Sequence, residues 1–119
     1  MFFAFAKRRW AKRVIKKMEP PVGSQPAAIL LAMIMEGTKH FEDMAARSPG
    51  GKKMTAAEYV LLSTGAMTRN PNSILRIADE GKMSTDQAIG VLQQAKRAGR
   101  ELAQAEQCAP IVLRVFDGP

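Results

Sequence analysis

The sequence predicts a mainly α protein: a small bundle of about four helices, with a basic amphipathic helix or arm before it and an extended or β-strand tail after it. Three observations carry this reading. Apolar residues recur at three- and four-residue spacing across residues 27–108, two Ser/Thr-x-x-Glu/Gln signatures open helices within that span, and only residues 111–116 are dense in β-branched side chains. At 119 residues the chain holds one domain at most. It divides into an arm (1–18), a Pro-rich linker (19–26), a helical body (27–108) and a tail (109–119).

The first segment, MFFAFAKRRWAKRVIKKM, contains Lys7, Arg8, Arg9, Lys12, Arg13, Lys16 and Lys17 and no acidic residue. The net charge of the chain is +7, so this segment holds all of the excess and the remainder sums to zero. Charge concentrated in this way speaks of partners rather than of fold. On a helical wheel Phe3, Ala6, Trp10, Ala11, Val14, Ile15 and Met18 fall on one side, and Arg8, Arg9, Lys12, Arg13 and Lys16 on the other. Lys7 and Lys17 intrude on the apolar side, while Phe2 and Phe5 sit off it. So short a helix is marginal alone, and its like charges one turn apart repel. It needs something to order against: the protein's own body, a phosphate backbone, anionic lipid or another subunit.

The prolines at 20, 21 and 26 stop that helix and form a semi-rigid linker. Ser24 reads as the N-cap of the next helix, with Pro26 in its first turn, running to about residue 47. Its first half, residues 27–35, is apolar nearly all round, the mark of a central helix. Its second half turns Phe41, Met44 and Ala45 inward. A loop around Pro49, Gly50 and Gly51 follows. Thr55 and Glu58 form a capping box for a helix to about residue 67, which buries Tyr59 or Val60, Leu62 and Met67. A short helix over 73–80 ends at Gly81 as its C′ residue. Ser84 and Gln87 cap the longest helix, 85–107, whose small residues Ala95, Ala98 and Gly99 admit a close neighbour.

The tail carries Ile111, Val112, Leu113, Val115 and Phe116 and reads as a strand with no second strand to pair with in the chain. It either augments a sheet of a neighbouring protein or packs as an extended segment on the helices. A single cysteine, Cys108, forbids an intrachain disulfide and points to a reducing intracellular compartment, a virion or an organelle matrix. The longest apolar run, residues 26–35, is too short to span a bilayer. The apolar start precedes the charges, the reverse of a secretory signal. In being basic, amphipathic and acid-free, the segment resembles an organellar targeting presequence, although it lacks serine.

The inventory for catalysis is thin. One histidine, His40, and one cysteine cannot supply the four nitrogen or sulfur ligands of a zinc site, and nothing argues that they form a nucleophilic pair. A calcium loop centred on Gly81 would place Arg76 where the first ligand belongs. A helix-turn-helix reading of 73–107 meets an acidic start, Thr85-Asp86, where bases would lie. No cofactor, metal or small-molecule substrate is predicted.

The basic segment stands above this background. Lys7, Arg8, Arg9, Lys12, Arg13, Lys16 and Lys17, with Trp10 among them, suit the phosphates of DNA or RNA. If all seven engaged a duplex, the salt slope would approach about −6. The expected function is therefore a non-catalytic subunit of a larger assembly, such as a virion, a ribosome-like particle or an organellar complex. Its basic segment docks on nucleic acid or another polyanion, and the tail engages a neighbouring protein. The alternative is a peripheral membrane protein held on anionic lipid by the same helix, with Phe2, Phe3, Phe5 and Trp10 inserted. A small enzyme with an unrecognised site ranks below both.

Overall fold

The computed structural model describes residues 2–50 and 54–106. Among the described residues five helices follow one another: α1 (Phe2–Lys17), α2 (Ser24–Arg47), α3 (Ala56–Met67), α4 (Pro71–Glu80) and α5 (Thr85–Ala105). No strand occurs among the described residues. The tail read as a strand lies outside them.

Helix α3 is the axis of the bundle. It packs on all four other helices, whereas the backbones of α2 and α5 do not approach each other. Helices α1 and α4 each bridge that gap, touching both α2 and α5. Nine of the twelve residues of α3 are buried, including Ser63, Thr64 and Gly65. This differs from the sequence expectation, which made the first half of α2 the central element. Large apolar side chains marked out α2, but α3 reaches the centre because small residues let its neighbours close in from every side. Its hydroxyls pair internally: Ser63 donates to the Ile34 carbonyl of α2 at 2.8 Å and Thr64 to the Leu61 carbonyl at 3.1 Å. Buried hydroxyls satisfied in this way avoid the cost of an unmade hydrogen bond.

Two glycines set the closest approaches. A Cβ on Gly37 of α2 would lie 3.0 Å from the Ser63 Cβ and overlap its Oγ. A Cβ on Gly99 of α5 would lie 3.3 Å from Leu61 Cδ2 and 3.7 Å from Val14 Cγ2. The close neighbour expected beside Ala95, Ala98 and Gly99 is thus α3, joined by α1.

The caps explain where the helices start and stop. Both capping boxes form: the Thr55 hydroxyl accepts from the Glu58 amide while the Glu58 carboxylate accepts from the Thr55 amide, and Ser84 and Gln87 repeat the exchange. Asn70 caps α4 by accepting from the Asn72 amide at 3.0 Å, so that helix begins at Pro71, two residues before its expected start. At α2 the N-cap is Gly23, with no side-chain capping bond, and Ser24 is already helical. Gly81 is the C-cap of α4 in a right-handed conformation, and the left-handed position falls on Lys82 (φ 52°). The amides of Lys82 and Met83 close onto the carbonyls of Asp79 and Ala78, a Schellman pattern displaced by one residue from expectation. Glycine still belongs at 81, because a Cβ there would meet the Ile77 carbonyl oxygen at 2.6 Å.

Every helix contributes to one core, including Val14 of α1, Leu30 and Ile34 of α2, Val60 of α3, Ile77 of α4 and Leu92 of α5. Met44 is the exception to the inward face expected of α2: it is half exposed. On α3 it is Leu61 that is buried, with Leu62 only partly covered.

Candidate polyanion-binding face

Helix α1 finds its ordering partner in the protein's own body. Ala11, Val14 and Met18 lie fully buried in the common core, so the basic segment is a docked helix, not a free arm. Burying side chains such as Val14 and Met18 stabilises by about 1.5–3 kcal/mol each. That exceeds the few tenths of a kcal/mol lost to each like-charge pair one turn apart.

Docking sorts the cations. Arg8, Arg9, Lys12, Lys16 and Lys17 are solvent-exposed, and no ion pair holds them among the described residues. Arg8 to Lys16 spans two turns, about 12 Å along the axis. Phe5, Arg8, Arg9, Lys12, Arg13 and Lys16 line a shallow groove of about 240 Å³ on this outer face. Arg13 sits at its edge, where it forms an ion pair with Glu106 at the end of α5 and lies over the Trp10 ring, 5.0 Å from its centroid. Trp10 is half-buried beneath it.

Lys7 is turned the other way. It is 6% exposed, ion-paired with Glu42 of α2, and its ammonium lies 5.5 Å from the Phe3 ring centroid. Phe3 in turn meets the Tyr59 ring edge-on at 5.7 Å. Burial pushes the Lys7 ammonium below its ordinary value; the nearby charge of Asp43 opposes this and that of Lys39 adds to it. Of the eight residues the sequence assigned to polyanion binding, four cations share the outer face, Arg13 borders it, Lys17 is exposed beyond Arg13, and Lys7 and Trp10 face inward or lie covered. The residues assigned to protein interaction, Ile111, Val112, Leu113, Val115 and Phe116, lie outside the described residues.

The outer face also includes two residues that the wheel set aside. Phe2 and Phe5 are 92% and 68% exposed. The signal was present in the spacing: Phe5 precedes Arg8, Arg9 and Lys12 by three, four and seven residues, which puts them on one stripe.

A second concavity, of about 490 Å³, opens between α2, α3 and α4, with Glu36, His40, Phe41, Asn72, Ser73 and Arg76 on its wall. Its strongest cation is engaged. Arg76 donates to both carboxylate oxygens of Glu36 at 2.9 and 3.0 Å and through Nε to Glu80 at 2.9 Å. This bonding holds the Glu36 carboxyl below the usual carboxylate range and raises Arg76. His40 is exposed and meets Phe41 edge-on.

Among the described residues no group of three His, Cys, Asp or Glu side chains could hold a metal ion, and no helix is long and apolar enough to cross a membrane. Comparison of the chain with protein-family models, with curated proteins and with solved structures finds no match.

Proposed function

We propose that this protein is a non-catalytic subunit or accessory factor of a larger assembly, and that it binds nucleic acid or a comparable polyanion through the outer face of α1. One observation carries the reading. The apolar stripe of α1 packs on the core, which leaves Arg8, Arg9, Lys12 and Lys16 side by side in solvent with no carboxylate held among them. Fixed on a folded body, such a row meets phosphates without the entropy cost of ordering a free arm. Four contacts in place of seven lower the expected duplex salt slope to about −4. Such contacts position the protein and do not read sequence. The tail, residues 109–119, remains the proposed point of attachment to a neighbouring subunit.

The lipid alternative draws support from the exposed Phe2 and Phe5 and, to a lesser degree, from Phe3. An amphipathic helix lies in a membrane by burying its apolar stripe, and here that stripe holds Val14 and Met18 in the core.

The test is binding to duplex DNA and RNA across a salt series, with the full chain and with Arg8→Gln/Arg9→Gln/Lys12→Gln/Lys16→Gln. The parent should bind with a steep salt dependence, and the variant should lose most of both affinity and slope. Unchanged affinity in the variant overturns the proposal.

A further inference from the structure

The two exposed phenylalanines bear on which polyanion the α1 face accepts. A duplex turns its phosphates outward and keeps its bases stacked inside, so an aromatic ring on the protein surface gains little from it. An unpaired strand offers both a charged backbone and open base faces. Proteins that bind it combine a cationic track with aromatic side chains on which bases stack.

The α1 face has these two components in register. Phe5 lines the same groove as Arg8, Arg9, Lys12 and Lys16, one turn before the first two cations. A base lying on the Phe5 ring places its backbone along the row that follows. Phe2, one turn earlier and almost fully exposed, offers a second ring. Trp10 is not available for this role, because the Arg13 guanidinium already covers its face. An anionic bilayer is the competing occupant. It would take up the apolar stripe of the helix, and here that stripe holds Val14 and Met18 in the core.

We infer that the outer face of α1 is a site for single-stranded nucleic acid. Bases stack on Phe5 and Phe2, and phosphates are held by Arg8, Arg9, Lys12 and Lys16. The inference rests on the polyanion reading and narrows it. Binding is tolerant of sequence, since every base has a face to stack.

The experiment measures fluorescence anisotropy of labelled oligothymidylate and of a mixed-sequence duplex of equal length with the full chain, alongside sedimentation with phosphatidylserine-containing vesicles. The variants are Phe2→Ser/Phe5→Ser and the four-fold Gln variant above. Both Phe positions are exposed, so folding is not at stake. The double Phe variant should bind oligothymidylate about tenfold more weakly, or worse, and leave duplex affinity unchanged. The Gln variant should weaken both. If the Phe variant affects single strand and duplex alike, or neither, the inference is overturned while the polyanion reading stands. If the parent protein binds vesicles only, or nothing, both fall.

Discussion

Helices α3 and α1 are both packed into the core, yet they use their surfaces in different ways. Helix α3 has almost no free side: nine of its twelve residues are buried, and it meets every other helix. Helix α1 buries Lys7, Ala11 and Val14, packs Trp10 and Ile15 partly against the core and turns its cationic face outward. Changes in α3 or its partners should therefore read out as stability. Changes on α1 should divide by face, the inner into stability and the outer into binding.

The largest expected effect lies at the α2–α3 contact. Gly37→Ala should destabilise by about 2–3 kcal/mol, because the new methyl overlaps Ser63 and disturbs its hydrogen bond to Ile34. Denaturant unfolding measures the loss, and Ser63→Gly in the same chain should recover part of it. A full-sized loss that Ser63→Gly does not relieve would show that another contact sets the spacing of these helices.

Next comes the inner face of α1. Lys7→Met alone should cost about 1–3 kcal/mol by leaving Glu42 without its partner, and Lys7→Met/Glu42→Met should return close to the parent or exceed it. A double variant as unstable as the single one would mean that the pair is needed to dock α1. The same lysine has a pH signature. Its folded-state value lies below the ordinary 10.5, so folding makes the charged form less favourable than it is in the unfolded chain. Between the folded and unfolded values the unfolded chain binds more protons. The Lys7 contribution to stability therefore improves as pH rises toward 10.5, and Lys7→Met should remove that rise.

The outer face should behave in the opposite way. The four-fold Gln variant, severe for binding, should unfold within about 0.5 kcal/mol of the parent, on the more stable side, because it relieves the 8/12 and 12/16 repulsions. Marked destabilisation would mean that these cations hold the fold and would blur the division between the faces. The smallest effect belongs to Glu36 on α2. Its folded-state value is lowered by Arg76, so its contribution is complete above 4.5 and fades as pH falls through the folded value. Both partners reach solvent, so Glu36→Gln should lower stability only slightly above 4.5 and not at all once Glu36 would be protonated, which flattens the acid limb of the profile.

The sequence was most informative where local chemistry decides structure. The Thr55/Glu58 and Ser84/Gln87 boxes and the small-residue stripe of α5 could be read directly, since each depends on residues a turn or two apart. Which helix lies at the centre could not be read in this way. Thr38, Ser63 and Thr64 look like surface residues until their hydroxyls are seen to close onto the carbonyls of Met35, Ile34 and Leu61. At the candidate site, the cationic stripe was legible from periodicity. The wheel also put Lys7 on the apolar side, but its partner there, Glu42, thirty-five residues away, could not be read. The place of Phe5 among the arginines was present in the spacing, but a search for an apolar stripe passes over it.

The bridging position of α1 gives the outer face a voice in the stability of the whole protein. By touching both α2 and α5, whose backbones do not approach each other, α1 works as a clasp across the bundle. A ligand that favours the clasp in place shifts the folding equilibrium by RT ln(1 + [L]/Kd) and raises the melting temperature. One that favours the helix peeled away, as a bilayer taking up Val14 and Met18 would, lowers it. The sign of a thermal shift thus reports whether a partner reads the closed bundle or opens it, before that partner is known by name.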